Sequence, residues 1–325
     1  MPGLQRVILG NLPLLGISYQ GIEKDREYKK KFSDKNELKL ILRVGLKHKV
    51  RNLSASSFNF NELAPLHLEV VKELEKEENM KIPLIACQGI PIEFQGQRID
   101  DYRRWATHLK YETNEFGQEV ETRYLEDPIL NFRTNWKENL SSSKPYDKKE
   151  IENNLSINWR QWEENIQKFS DYEVEFMEPG SETDFLALCR IDLLEELVDR
   201  TRELGYKILL GSHHLGSTAY MIKGKIEGYD GFVTPVNKLG LMMFPLQRKA
   251  EEAIKEVRKD GKLIIAVKPF AGGRIEPKKA LEYVFNKMEV DSCMIGVGSV
   301  EEAEFDIQIA ENILKTIDQI GTKTL

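Results

Sequence analysis

The sequence predicts an α/β protein built as a (β/α)8 TIM barrel with a long insertion after the third strand. Three observations carry that expectation. From about residue 170 onward, strand-sized apolar runs alternate with segments patterned at helical spacing, the signature of βα units around a parallel sheet. Eight such strands can be marked along the chain and none alternates like a half-solvated edge strand, which favours a closed barrel over an open doubly wound sheet. The 325-residue length suits one barrel of about 250 residues plus an insertion, so residues 1–325 read as a single domain.

Taken in order, the expected strands are Val7–Leu9, Asn52–Ala55, Pro83–Cys87, Val174–Met177, Ile208–Gly211, Phe232–Val236, Leu263–Val267 and Cys293–Val297. Between the first three, Leu38–Leu46 and Leu66–Leu74 carry the apolar faces of helices. Leu188, Ile191, Leu194, Leu197, Val198 and Thr201 recur at helical spacing, and Gly205 follows as a stop. Leu246, Ala250, Ala253, Ile254 and Val257 form the next buried stripe, with Glu251 and Lys255 spaced to pair at i,i+4. Pro277 opens a helix bearing Ala280, Leu281, Val284 and Phe285. The last helix starts after Ser299, where Glu302 completes a capping box, and buries Val300, Ile307, Ala310, Ile313 and Leu314.

Residues 91–155 break this rhythm. The segment holds Trp105 and Trp136, and Trp159 and Trp162 follow at once, so all four tryptophans cluster here. So long a connection after a strand emerges at the active-site face of a barrel. It reads either as a lid or subunit contact, giving a homo-oligomer, or as packed decoration.

Composition narrows the function classes. Hydrophobic residues make up 41% and charged residues 31%, which excludes a disordered chain. With 47 basic against 53 acidic residues, the net charge of −6 leaves no overall electrostatic footprint for nucleic acid. The apolar runs are strand-sized, far below the roughly 20 residues of a membrane span. Met1-Pro-Gly leads straight into a strand without signal-peptide features, so a cytoplasmic location is expected. Cys87, Cys189 and Cys293 show neither disulfide nor metal spacing and read as buried thiols.

In a barrel, functional side chains stand at the carboxyl ends of strands. Ala271-Gly272-Gly273-Arg274 and Gly296-Val297-Gly298-Ser299 look like phosphate cradles, since glycine backbone amides and a helix N-terminus both favour an anion. Glu178, His213 and Lys268 are the candidate catalytic groups, as an acid/base pair with a supporting or Schiff-base-forming amine. His213 and His214 point in different directions from a strand end, so no metal is expected; His48, His67 and His108 read as surface or structural.

Several of these segments resemble the aldo-keto reductase superfamily. They are Lys207-Ile-Leu-Leu-Gly-Ser-His-His-Leu-Gly216, Asp230-Gly-Phe-Val-Thr-Pro-Val-Asn237, Ile265-Ala-Val-Lys-Pro-Phe-Ala-Gly-Gly-Arg274, Ala280-Leu-Glu-Tyr-Val284 and Ile295-Gly-Val-Gly-Ser-Val-Glu-Glu302. Together they cover about residues 200 to 312. The resemblance implies a dinucleotide, NADP or NAD, lying across the strand ends. Gly211 and Ser212 would approach the nicotinamide amide and Asn237 would support the sixth strand end. Phe270, Ala271, Gly272, Gly273, Arg274, Gly298 and Ser299 would follow the pyrophosphate, with Glu302 and Asp306 toward the adenosine.

The family's proton-donating tetrad is not matched. Ser54 stands at its aspartate position, Phe58 or Asn59 at its tyrosine, Gln88 at its lysine and Glu178 at its histidine. A phenylalanine cannot release a proton. The expectation is therefore an NAD(P)H-linked oxidoreductase acting on a small molecule with Glu178 or His213 as proton donor. The alternatives are a barrel that has lost redox chemistry and serves as a binding or regulatory protein, or a lyase or isomerase built on Glu178, His213 and Lys268.

Overall fold

The structure, a computed structural model, describes residues 4–131 and 133–321. Eleven strands occur in chain order: β1 Val7–Gly10, β2 Leu53–Ser56, β3 Leu84–Cys87, β4 Ile92–Phe94, β5 Gln97–Arg98, β6 Leu155–Ile157, β7 Val174–Glu178, β8 Leu209–Gly211, β9 Gly231–Pro235, β10 Leu263–Val267 and β11 Ser292–Gly296. Eight of them form one parallel sheet in the order β7-β3-β2-β1-β11-β10-β9-β8. The two ends meet through a single parallel bridge, Met177 to Ile208, so the sheet closes into a barrel. β5, β4 and β6 form a separate three-stranded antiparallel sheet.

Strand side chains alternate between two cores. Ile8, Ile85, Phe176, Leu209, Val233, Ile265 and Met294 fill the barrel interior. Their neighbours, including Leu9, Leu84, Met177, Leu210, Phe232, Ile264 and Ile295, face the surrounding helices. Burial on both faces explains why these strands read as continuous apolar runs. The expected strands are all present, with ends shifted by a residue at most sites.

Local chemistry moves two boundaries among the helices. The stripe beginning at Leu188 belongs to two helices, Glu182–Cys189 and Ile191–Glu203, because Arg190 leaves helical geometry at φ −146° and ψ 68°. Gly205, at φ +87°, does end the second of them. The Glu251–Lys255 pairing is superseded: Glu251 accepts from the Tyr283 hydroxyl at 2.6 Å and from Lys287 Nζ at 3.3 Å, tying the Gln247–Lys259 helix to the segment after Pro277.

The insertion runs slightly further than residue 155, since β6 pairs with β4 through Ile157. It carries the helices Asp101–Phe116, Glu119–Glu126, Trp136–Ser142 and Lys148–Asn154. Asp100 opens the first by accepting from Arg103 N, and Asp147 opens the last with a capping box to Glu150. Trp105, Val120, Tyr124, Ile129, Leu130, Trp136 and Leu140 then pack against Leu241, Met242, Phe244, Leu246, Ala271 and Ile275. Those partners belong to the loops after β9 and β10, so the insertion sits over the carboxyl ends of the strands. The insertion thus forms a roof over the mouth, and exposing side chains of this size would cost about 1.5–3 kcal/mol each. No helix among the described residues is long and apolar enough to cross a membrane.

Candidate active site

Glu178 ends β7 at the barrel mouth, in register with Cys87 at the end of β3. Its side chain remains partly exposed. Burial pushes its carboxyl up to about 7, against opposing contributions from the Cys87 thiol, Lys268 and the Gly180 backbone. Burial and the neighbouring carboxylates Glu178 and Glu182 raise the Cys87 thiol well above its ordinary value, so it stays protonated and donates to Glu178. Gly211 faces this pair: a Cβ there would collide with Glu178 Oε1 and with the Gly180 backbone. The glycine is needed for close approach, not for its dihedral angles.

Lys268 follows β10 with φ +57°, a left-handed conformation that a lysine adopts only where its surroundings enforce it. Its Nζ lies 3.2 Å from His213 Nε2 and 5.2 Å from the centroid of the Tyr19 ring. As the ammonium can only donate, His213 Nε2 accepts and the proton of the neutral ring sits on Nδ1. Burial holds His213 well below its usual pKa, and Lys268, His214, Arg133 and Arg104 push in the same direction. His213 stacks beneath Trp105 of the roof, centroids 6.5 Å apart and planes 22° from parallel.

The loop carrying both histidines is fixed by Asp184, which the sequence reading overlooked. Its carboxylate accepts from Ser212 Oγ at 2.6 Å, Thr218 Oγ1 at 2.7 Å, His213 N at 2.8 Å and His214 N at 3.2 Å. His214 turns the other way, into the roof. Its Nδ1 lies 3.1 Å from Glu112 Oε1 and 3.1 Å from the Tyr124 hydroxyl, and Ser217 Oγ donates to Glu112 at 2.6 Å. Tyr124 also donates to Glu112. Burial alone would discharge His214, yet Glu112 raises its pKa and keeps an ion pair at the centre of the network.

His108 belongs to this network rather than to the surface. It stands one turn before Glu112 on the Asp101–Phe116 helix, and its ring stacks on His214 at 4.0 Å and 14°. Nitrogens and carboxylate oxygen of His108, Glu112 and His214 lie within 4.8 Å of one another. Stacked rings, however, send their in-plane lone pairs along parallel planes that do not converge, while Glu112 is already taken by Tyr124, Ser217 and His214. The i,i+4 spacing of His108 and Glu112 was visible in the sequence; its partner is 102 residues away.

The expected cofactor residues are mostly turned inward. Ser212 is committed to Asp184. Asn237, fully buried, spans the turn after β9 by donating to Leu241 O at 2.9 Å and accepting from Leu241 N at 3.0 Å. Ala271 is buried under the roof and Phe270 packs beside it. Arg274 Nη1 donates to Tyr19 O at 3.0 Å and Ala271 O at 2.9 Å, and Gln20 lies against Gly273. Gly298 N donates to Glu302 Oε2 at 2.7 Å, its carbonyl accepts from Lys31 Nζ at 3.0 Å, and the Tyr28 hydroxyl fills the space beside its Cα. Ser299 Oγ caps Glu302 N at 3.1 Å. Burial and the nearby Glu302 push Asp306 up to about 7.

No protein-family model matches the sequence, and no curated protein matches it. Solved structures do. One, from Pseudomonas aeruginosa and assigned as an aldo-keto reductase, superposes with a TM-score of 0.51 at 13% identity, covering 96% of this chain and 92% of that one. The chain has the fold of an aldo-keto reductase. A Bombyx mori aldo-keto reductase in complex with NADP is also similar, at a TM-score of 0.43 and 9% identity, covering 95% and 89% of the two chains.

On the aldo-keto reductase fold, the positions that the resemblance assigns to the tetrad hold other chemistry. Ser54 Oγ donates to Asn11 Oδ1 at 2.7 Å and accepts from Asn11 N at 2.8 Å. Phe58 packs edge-on against Phe169 and Tyr172. Gln88 Nε2 donates to Gly89 O at 3.0 Å, leaving a buried Oε1 without a partner. Glu178 alone of the four is a titrating group.

Proposed function

We propose that this chain is a barrel enzyme of non-redox acid–base type, acting on a small carbonyl compound, with Glu178 as the group that takes and returns a proton. The observation that carries this reading is Glu178 itself: a carboxyl at the barrel mouth, near 7, facing Cys87 and Gly211 on one side and the field of Lys268 on the other. A general acid or base works best when its pKa lies near the operating pH. Local strain at Lys268, the neutral His213 and the unpartnered Gln88 Oε1 gather at the same strand ends.

The dinucleotide that the fold implies does not fit these residues as folded. The Gly298 amide, the donor best placed for a phosphate, is satisfied by Glu302, and Tyr28 occupies the adjoining space. Arg274 spends a guanidinium nitrogen on its own loop. Gly211 abuts Glu178 with no room between them. Binding would require Glu302 and Tyr28 to leave together, and Glu302 and Asp306 would then present acidic groups to the nucleotide.

The chemistry derived from the chain's own residues is enolisation. Glu178, ionised, removes a proton from the carbon beside a carbonyl; the electron pair of that C–H bond forms the carbon–carbon double bond, the carbonyl π pair moves onto oxygen, and the Lys268 ammonium stabilises the charge that develops there. His213 accepts from Lys268 Nζ and so orients it. Returning the proton to the same or a neighbouring carbon completes exchange or isomerisation, with no oxidant needed.

The test uses no cofactor. Small 2-oxo acids and hydroxyaldehydes are incubated with the protein in D2O, and loss of the Cα–H signal is followed by NMR. Catalysed exchange that disappears in Glu178→Gln is the expected result. Absence of exchange, together with micromolar binding of NADPH and hydride transfer to a carbonyl, would restore the reductase reading.

A further inference from the structure

A small cavity of about 10 Å³ lies between the roof and the β7 and β8 ends, lined by Arg104, Trp105, His108, Ser181, Asp184, His213 and His214. That volume admits a single atom or one water. Among the described residues, ten buried side-chain polar atoms lack a hydrogen-bond partner, and four of them belong to this lining: Arg104 Nε, Trp105 Nε1, His108 Nδ1 and His213 Nδ1. Buried orphans are uncommon and each asks for a partner. Their concentration around one cavity points to a guest.

The donor–acceptor balance identifies the kind of guest. Arg104 Nε and Trp105 Nε1 can only donate, and His213 Nδ1 bears the ring proton because Nε2 accepts from Lys268. The lining's carboxylate is saturated: Asp184 Oδ1 accepts from Ser212 and Thr218, and Oδ2 from the amides of His213 and His214. A water there could accept from two of the three N–H groups and donate to His108 Nδ1 where that nitrogen lacks the ring proton, leaving the third N–H unpaired. An atom that only accepts can take all three N–H groups, and a fourth when His108 carries its proton on Nδ1. Cations also stand near this place: Arg104, His214, Lys268 and Arg133 all disfavour a proton on His213, while the one carboxylate of the lining, Asp184, has its oxygens engaged by four donors.

We propose that this cavity binds the acceptor atom of a monovalent anion, supplied either by a free halide or by one oxygen of a small carboxylate. The site is separate from Glu178, and its existence does not depend on the enolisation chemistry. Arg104, whose side chain is 11% exposed, pairs with Asp101 Oδ1 at 3.2 Å and Glu182 Oε1 at 3.4 Å through its terminal nitrogens, leaving its Nε–H for the cavity.

Thermal unfolding of the full chain in sodium bromide, sodium formate and sodium gluconate at equal ionic strength tests this. A rise of about 2–4 °C over gluconate is expected in bromide, formate or both. Bromide alone identifies a free halide as the ligand, and formate alone a carboxylate. Trp105→Phe, which keeps the ring and removes the N–H, loses most of the rise; Arg104→Lys, which keeps the charge and removes Nε–H, provides the same readout independently. A bromide-soaked crystal gives an anomalous peak inside the cavity. Equal melting temperatures in all three salts, an undiminished rise in both variants, or a water without anomalous signal in the cavity would overturn the assignment.

Discussion

The strand ends of β11 and of β7 and β8 open on the same side of the barrel and are built in opposite ways. At β11 the Gly298 amide and carbonyl find partners in Glu302 and in Lys31 of the Ile22–Phe32 helix, and Tyr28 fills the space beside the glycine. At β7 and β8 the chain keeps a carboxyl raised by burial, a neutral histidine under cationic pressure and four unpartnered nitrogens under a roof. The first end lies in a segment that resembles a reductase in sequence, and its Gly298 turn is closed. The second departs from the family pattern at Glu178 and holds unsatisfied groups. Resemblance therefore locates the scaffold here, while strain and orphaned polarity carry the proposal for where the chemistry sits.

The comparison breaks most decisively at Glu178. Replacing it with glutamine is expected to lower proton exchange by about 10²–10⁴-fold, the usual contribution of a positioned acid or base. The same variant has a stability signature. A carboxyl raised from 4.5 to about 7 by folding stabilises the fold fully below 4.5 and loses that contribution as pH rises through 7. Glu178→Gln is thus expected to unfold at higher temperature than the parent at pH 8 and at the same temperature at pH 4, which melting curves at the two pH values check.

The roof offers the next largest effect. Glu112→Ala leaves His214 charged and buried without its counterion, and is expected to cost about 3–5 kcal/mol in denaturant unfolding. Because Glu112 raises the His214 pKa, the pair's stabilisation is present below about 6.5 and fades as pH rises through the folded value. The penalty of the variant should therefore shrink at alkaline pH. A constant penalty would mean that packing, not charge, holds the roof.

Gly211→Ala sharpens the picture of the mouth. The added methyl meets Glu178 Oε1 and the Gly180 backbone, so a cost of about 1–3 kcal/mol is expected, with exchange reduced alongside it. Smallest of all is Glu302→Ala at the closed end. It removes one carboxylate from the Gly298 amide and from the first turn of the last helix, an effect of about 0.5–2 kcal/mol, with no change in exchange. NADPH binding is expected to stay absent in this variant, since Tyr28 still fills the space beside Gly298; tight binding by it would show that Glu302 alone closes the cradle.

Much of the barrel could be read from the sequence because each strand is buried on both faces and each helix on one, so apolar runs and 3.6-residue stripes mark them directly. Glu178, His213 and Lys268 were legible for a related reason, since polar residues stand out just past an apolar run. What was illegible depends on distance along the chain. Asp184 reaches His213 and Ser212 across the next strand, and Glu112 meets His214 only because the insertion folds back over the mouth. Arg190 broke a helix that its flanking apolar stripe would have continued. The two glycine segments read as phosphate cradles, and no pattern of glycines could reveal that Tyr28 and Glu302 would fill one of them.

The most direct measurement is an NMR pH titration of protein labelled with ¹³C at the glutamate carboxyl carbons, with Glu178→Gln assigning the resonance. An inflection near 7 for Glu178 is the result expected of an acid–base centre at the barrel mouth. An inflection in the ordinary carboxylate range, near 4.5, would contradict it.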